Sequence, residues 1–572
     1  QDANPTIRRI SHFLNPQAFA LVYRPSQANS IAKFMWWRLP TELVDQILQH
    51  VSFDDYVSLT QTNAEARRLL DTESQFLTVF RANFHEDIEA FEWDIDSPVS
   101  KATLWTAVRK LRCFLDSIDS IYPQTVGEPT DMGFDKHLEI ALSTFASQPE
   151  YFVPLIMEIR IATGHMRQNL AQALTGPALI SISRISWLRK LLQLQNFLHA
   201  ARFFLQKDPG DTVSVEKCYF ELSRCYIDFA SLARHRVKVL KQLRNEVRSL
   251  LPIPLGMLRF PSQNAYHVFL GGILKTILVG VNSTAYSSNV GANILRVYKG
   301  LGLEAQELYA AIAAKIFQEE VFSKFTFEVA GVVRKEVRVA VTPVWLVFDS
   351  TYVLINLTNI TFKFMEKEAI RRIPHSDVEQ TFRPVTTRAV LQRAFDADES
   401  EEGIPRDITR QDWSNMYYNT SIFKLRFLRT VLMNISESKT LSTSDFRPLY
   451  HKSDFLLYFY STMVMLGNTR TEITSFRHHA SHLIQPDFHT KTFAFGDLIL
   501  NHSSDYFGVV LGAHSARTED ENFLVTLPFD NIEKSVAQVS SLKHLHIAEF
   551  GDSFLEFIEW LLSTDGMTYA GM

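Results

Sequence analysis

The chain has 572 residues, of which 46% are hydrophobic and 21% charged, a composition typical of a folded globular protein and not of a disordered or fibrous one. This length predicts about three to four domains. The net charge of -5 provides no overall attraction for a nucleic-acid backbone, so nucleic acid is not an expected partner. Cys113, Cys218 and Cys225 are too few for a disulfide framework, which favours a reducing compartment, the cytoplasm or the nucleus.

The sequence predicts no membrane insertion and no secretory signal. The most apolar runs, 270–281 and 455–466, are shorter than the ~17–25 residues that span a bilayer. The first residues lack a charged stretch followed by an apolar one. We expect residues 1–32 to form a loosely held leader.

Residues 33–80 predict three short helices. Apolar residues recur there at helical spacing, and Pro40 stands where the first helix would begin. Ser52 is suited to cap the second helix. So small a unit hides too little apolar surface by itself, which predicts a partner.

The segment Leu39-Pro40-Thr41-Glu42-Leu43-Val44-Asp45-Gln46-Ile47-Leu48 resembles an F-box. The resemblance covers about 40 residues and departs from the family pattern after Leu59, where the family has a Cys and a Trp and this chain has 62–66. It implies docking onto a Skp-family adaptor and, through it, a cullin. The residues expected to bind the adaptor are Leu39, Pro40, Leu43, Ile47, Leu48, Val51 and Leu59.

The middle of the chain is predicted to be mainly helical, with strands in its second half. Residues 81–206 have amphipathic helical periodicity, and a single long helix is expected from Val215 to Leu250. Seven residues apart on that helix, Cys218 and Cys225 suit core packing. β-Branched residues over 333–357 predict strands, and an acidic run at 396–403 predicts an exposed linker over 373–412. Helices are expected again over 413–485.

Residues 207–372 are similar to the transglutaminase-like α+β region of one F-box subfamily. Segments 264–267 and 290–303 carry this similarity. Working enzymes of that fold require a Cys thiolate activated by a His. Here 285–288 reads Ala-Tyr-Ser-Ser, so we predict a degenerate region with no catalytic residue.

Residues 490–550 alternate with a period of two, which predicts a small antiparallel β-barrel, followed by a C-terminal helix and tail over 551–572. The runs 495–502, 505–512 and 522–527 resemble the YccV/HspQ family, first described as binding haemimethylated DNA. Basic residues are scarce in this segment, which disfavours DNA binding. The candidates for contact with a target protein are His502, Tyr506 and Phe507.

His478, His479 and His482 form a cluster, but it lacks the Glu of a catalytic HExxH motif and has no evident third ligand. We therefore expect no metal and no cofactor.

Together these patterns predict a multidomain, mainly α-helical protein with an α+β middle and a small β-barrel. The expected function is the substrate-recognition subunit of an SCF-type cullin-RING ubiquitin ligase, itself non-catalytic. Two alternatives stay open: a transglutaminase-like or amidohydrolase enzyme that uses Cys218 or Cys225, and an F-box scaffold that acts outside any ligase.

Overall fold

The computed structural model describes most of the chain between residues 40 and 544. The described residues are 40–62, 64–70, 72–92, 100–125, 141–170, 176–207, 214–226, 229–251, 256–287, 294–334, 338–342, 345–348, 351–372, 383–399, 424–433, 455–467, 498–501, 506–514, 523–528, 535–538 and 542–544. The predicted leader, the histidine cluster and the C-terminal tail lie outside them.

Helices form most of the described chain. They are α1 (Thr41–Leu48), α2 (Phe53–Thr62), α3 (Ala64–Leu70), α4 (Glu73–Phe91), α5 (Lys101–Thr125), α6 (Phe152–Leu170), α7 (Gly176–Leu205), α8 (Val215–Ser223), α9 (Phe229–Leu250), α10 (Gln263–Ser287), α11 (Ile294–Gly300), α12 (Ala305–Ile316), α13 (Lys367–Arg371), α14 (Thr387–Glu399), α15 (424–433) and α16 (Phe455–Met465). Short π-helical turns occupy Ala141–Ala146 and Phe317–Phe322, and a 3-10 turn occupies Pro149–Tyr151.

The strands form small sheets. They are β1 (Met257–Phe260), β2 (Thr326–Val329), β3 (Val332–Arg334), β4 (Val339–Val341), β5 (Trp345–Phe348), β6 (Thr351–Asn356), β7 (Thr361–Glu366), β8 (Leu498–Asn501), β9 (Tyr506–His514), β10 (Phe523–Pro528), β11 (Ser535–Gln538) and β12 (Leu542–His544). β1 pairs parallel to β2, and β3 pairs antiparallel to β2. β4 to β7 form a four-stranded antiparallel meander.

A continuous apolar core runs from Val44 in α1 to Met463 in α16. The mainly helical character predicted for the chain is confirmed, as is the change to mixed helix and strand after residue 256. One face of the β4–β7 sheet joins this core through Val353 and Phe348, whose ring meets the Phe317 ring edge-on at 4.6 Å.

The long helix predicted from Val215 to Leu250 is wrong, because two helices occupy that span. After α8 the backbone tightens, and the N–H groups of Arg224, Cys225 and Tyr226 each donate to the carbonyl three residues earlier. This turn directs the Arg224 side chain into the interior, where it is fully buried. The apolar periodicity continues through the turn, so nothing in the pattern marks the break.

The predicted acidic linker over 373–412 needs a similar correction within 383–399, the part of it that the structure describes. Helix α14 extends into the acidic run, and its Val390 and Ala394 are buried in the core. An apolar face on this segment outweighs the charge of its last residues, so the chain there packs instead of spanning two bodies.

The C-terminal strands form a five-stranded antiparallel sheet in the order β11-β10-β9-β8-β12. The ladder between β9 and β10 shifts register at Val525 and Thr526. The described residues show no pairing that joins the two edge strands, so closure into a barrel stays a prediction.

Within the described residues, the stretch Gln263–Asn282 of α10 is long and apolar enough to span a membrane, judged by length and composition alone. Core helices meet the same criterion. Tyr266, Leu270 and Ile277 of this stretch are fully buried in the chain's own core.

Two glycines of α10 give a matched test of this packing. A Cβ at Gly280 would lie 2.5 Å from Leu243 Cδ2 and 2.8 Å from Glu246 Oε2 of α9, whereas one at Gly272 would meet no atom within 4 Å. We expect Gly280→Ala to lower the free energy of unfolding by about 1–3 kcal/mol, because Leu243 is buried and has little room to move. Gly272→Ala should raise it by up to about 1 kcal/mol through helix propensity. Urea unfolding of both variants checks this, and equal effects would contradict the packing.

Candidate functional site

The three-helix unit formed by α1, α2 and α3 is fastened to α4 by hydrogen bonds. The Tyr56 hydroxyl donates to the Leu70 carbonyl at 2.6 Å, which closes α2 onto the end of α3. The Asn83 amide of α4 donates to the Val51 carbonyl at 3.0 Å and accepts from the Phe53 N–H at 3.2 Å. The turn between α1 and α2 is therefore fixed by a side chain from the body.

Aromatic packing reinforces this attachment. The buried Phe53 ring lies 5.4 Å from the Phe84 ring and 6.1 Å from the Phe76 ring, both edge-on. The Trp105 ring of α5 lies 5.8 Å from the same Phe53 ring. Burial raises the pKa of the neighbouring Tyr56 to about 12, with Glu73 adding to the rise. As predicted, Ser52 caps α2: its Oγ accepts from the Asp55 N–H at 3.1 Å.

The residues predicted to bind an adaptor differ in their exposure. Leu43 is 45% exposed, and Pro40 beside it is exposed as well. Ile47 and Leu59 are half-buried against the core.

Two further residues predicted to bind the adaptor are not exposed. Leu48 and Val51 are buried, at 0% and 6% exposure, because they pack with α4 inside the chain's own core. That part of the prediction needs correction: in this conformation their side chains are covered. Leu39 lies outside the described residues.

Next to this unit lies a cluster of buried and half-buried charges, here called the charged cluster, that the sequence pattern did not indicate. It consists of Glu92 at the end of α4, Glu216, Lys217 and Glu221 of α8, Arg224 after α8, and Arg236 of α9. Lys315 also lies 3.6 Å from Glu216, so each carboxylate faces at least one cation, which reduces the electrostatic penalty of burying them.

Arg236 is the centre of the charged cluster. Its Nε and Nη2 bind the two carboxylate oxygens of Glu216 at 2.5 and 2.8 Å, and its Nη1 binds Glu92 Oε1 at 2.5 Å. The guanidinium also lies 3.9 Å from the centroid of the Phe220 ring. The planar fork of arginine allows this combination of a bidentate pair and ring stacking, which a lysine would not provide.

A second arginine holds the other end of the cluster. Arg224 Nε donates to Glu221 Oε2 at 2.6 Å, and its Nη2 donates to the carbonyl of Phe91. His199 Nδ1 lies 3.0 Å from the same Glu221 oxygen. Because that carboxylate is ionised, the imidazole nitrogen facing it carries the proton.

The pKa values follow from this arrangement. Burial alone would raise the pKa of Glu92, but Arg236 and Lys217 outweigh it and lower the pKa to about 2. The pKa values of Glu216 and Glu221 are lowered against burial in the same way, by Arg236 and Arg224 respectively. All three carboxylates therefore stay ionised at neutral pH.

Helix α4 is also held one turn earlier. Asp87, buried, pairs with Arg160 of α6 and with Arg234 of α9, whose Nη2 lies 3.0 Å away. Glu92 adopts a left-handed backbone (φ 46°) that turns its side chain toward Lys217 and Arg236. The same helix that carries the three-helix unit is thus tied to the body at two places, so the unit has a fixed orientation.

The two cysteines considered as nucleophiles lie in the core, as predicted. Cys218 and Cys225 are fully buried, and burial raises the pKa of each thiol to about 12. An activated nucleophile requires the opposite shift and access for a substrate. Cys113 of α5 is exposed.

The C-terminal candidates are placed only by their backbone. Tyr506 and Phe507 begin β9, opposite Asn501 and Leu500 of β8, and His502 lies outside the described residues. Among the residues that the structure describes, no group of three His, Cys, Asp or Glu side chains is arranged to hold a metal ion.

Comparisons of the chain with protein-family models, with curated proteins and with solved structures find no match.

Thiol accessibility gives a direct test of the buried cysteines. In the native protein we expect Ellman's reagent to modify Cys113 and to leave Cys218 and Cys225 unmodified, since both are buried with a raised pKa. All three should react once guanidinium unfolds the chain. Rapid native modification of Cys218 or Cys225, located by peptide mass mapping, would contradict this placement.

Stability should fall as the pH drops below neutrality. Burial lowers the pKa values of His199, His235 and His267 in the folded chain, with nearby cations adding to the effect. The unfolded chain therefore binds more protons from about pH 6.5 down to the folded pKa values, and the free energy of unfolding decreases over that window. The free energy of unfolding decreases a second time below about pH 4.5, because the carboxylates of the charged cluster then protonate in the unfolded chain while they stay ionised in the folded one.

Urea titrations at a series of pH values measure both decreases. His199→Gln keeps a hydrogen-bond donor for Glu221 but cannot titrate, so its first decrease should be shallower than that of the unaltered protein. An unchanged slope would show that His199 does not contribute.

Proposed function

We propose that this chain is the substrate-recognition subunit of an SCF-type cullin-RING ubiquitin ligase. In this role the three-helix unit binds a Skp-family adaptor, and the rest of the chain holds a target protein. The observation that carries the proposal is the exposure of Leu43 on α1, a helix whose opposite face is buried through Val44 and Leu48.

The apolar surface that remains available supports a contact centred on α1. Pro40 and Leu43 are exposed and Ile47 is half-buried, so they offer a narrow apolar strip along one side of the helix. Interfaces of this kind draw most of their affinity from a few central anchors. Leu43 is the anchor that this strip offers.

The chemistry in this role is proximity. A receptor raises the effective concentration of a target lysine near a charged ubiquitin-conjugating enzyme, and it needs no covalent step of its own. Such a receptor works best when its adaptor-binding and target-binding parts keep a constant separation. The attachment of α4 through Asp87 and Glu92 suits that requirement.

The target-binding part would include the C-terminal sheet, with Tyr506, Phe507 and His502 as candidate contacts. The alternative of an F-box scaffold outside any ligase uses the same adaptor contact. Ubiquitylation of a captured target in a reconstituted ligase distinguishes the two roles.

Adaptor binding tests the proposal. We expect Leu43→Asp to weaken co-purification with a Skp-family adaptor by at least about tenfold, since a buried charge would replace the central anchor. The matched control is Leu250→Asp at the end of α9, because Leu250 is equally exposed, at 50%, but lies far along the chain from the three-helix unit.

Leu250→Asp should bind the adaptor as the unaltered chain does. Circular dichroism and thermal unfolding of both variants show that each is folded. Undiminished adaptor binding by folded Leu43→Asp, or failure of the unaltered chain to bind any Skp-family adaptor, would refute the proposal.

A further inference from the structure

Strand β7 leaves one edge of the meander sheet without a partner among the described residues. β7 pairs with β6 along its whole length, from Thr361 opposite Asn356 to Glu366 opposite Thr351, with no bulge. In an antiparallel ladder alternate residues direct their N–H and C=O groups away from the neighbouring strand. Between Thr361 and Met365 these outward groups have no hydrogen-bond partner in the part of the chain that the structure describes.

The edge is held rigid by its surroundings. The hairpin turn before it is braced by Asn356, whose Oδ1 accepts from the Thr358 N–H at 3.0 Å, and Ile360 completes the turn in a left-handed conformation. The Phe364 ring stacks on His267 of α10 at 4.7 Å. A strand that is already in position gains affinity for an added strand, because little ordering remains to be done on binding.

The two faces of β7 differ in chemistry. Phe362 and Phe364, half-buried, lie on the face that packs on the main core. Lys363 lies on the opposite face, exposed, beside Leu354 of β6. An added strand would therefore meet apolar rings on one face and a positive charge on the other.

We propose that the outer edge of β7 binds an extended segment of the target protein by strand addition, and that this segment places an acidic residue opposite Lys363. This deepens the proposed function, on which it depends only for naming the occupant as a target. Main-chain hydrogen bonds would supply the affinity and the alternating side chains the specificity. Lysine on an exposed edge also opposes pairing with neutral or basic strands, which limits unspecific association.

Hydrogen exchange of the full-length chain tests whether the edge is open. In the isolated protein the outward amides between Thr361 and Met365 should exchange quickly, while those bonded to β6 are protected. Protection of all these amides would mean that another part of this chain or a second copy already covers the edge, and would overturn the proposal.

Binding is tested with three short synthetic peptides that alternate valine and threonine. The first has a central glutamate, the second a central lysine, and the third is the glutamate peptide with every backbone nitrogen methylated. By fluorescence anisotropy we expect the glutamate peptide to bind about two- to fivefold more tightly than the lysine peptide. The methylated peptide should not bind, since it cannot donate to the edge.

Lys363→Glu should reverse the preference between the charged peptides. Lys275→Glu, at an exposed lysine of α10, should leave it unchanged. Absence of binding by the glutamate peptide, equal binding by the methylated one, or an unreversed preference in Lys363→Glu would each overturn the proposal. Adaptor co-purification with Lys363→Glu is measured separately, so a failure here is distinguishable from a failure of the proposed ligase role.

Discussion

The position of Arg236 constrains much of this structure. A guanidinium that is 1% exposed needs partners for its charge and its donors, and here two carboxylates and an aromatic ring supply them from two other segments of the chain. Glu92 ends α4, Glu216 begins α8, and Phe220 lies one turn further along α8. No one of these elements can shift without leaving a charge unpaired in the interior, which is far more costly than a lost surface contact. The charged cluster therefore defines how the front of the chain meets its middle.

That constraint determines how the three-helix unit is packed and which surface it leaves exposed. An isolated unit of this size would depend on its partner for folding, whereas here Leu48 and Val51 already pack in a core shared with α4 and Phe53 lies among three other rings. The apolar surface left over is narrower than the sequence implies, and it is concentrated on one side of α1. A partner on that side would meet a surface that exists before binding.

The periodicity of apolar residues predicted the helices and strands better than it predicted what covers their apolar faces. The short helices around Pro40 and Ser52, the strands after residue 332 and the burial of both Cys218 and Cys225 follow from local pattern, since spacing alone decides which face is apolar. The pattern does not say what covers an apolar face, so it could not show that the chain itself buries Leu48 and Val51. It is equally silent on Arg224 and Arg236: charged residues on an amphipathic helix are usually solvated, and only the three-dimensional arrangement shows that these are not.

The contacts made at the left-handed turn of Glu92 have a consequence for the synthesis of the protein. Its side chain binds Arg236, which lies 144 residues further along the chain, and the neighbouring Phe91 ring contacts Phe229. Synthesis proceeds from the amino terminus at about 5–20 residues per second, so the end of α4 must wait on the ribosome for many seconds before its counter-charge emerges. During that interval the Glu92 carboxylate and the Phe91 ring lack these partners, which gives molecular chaperones time to engage the nascent chain.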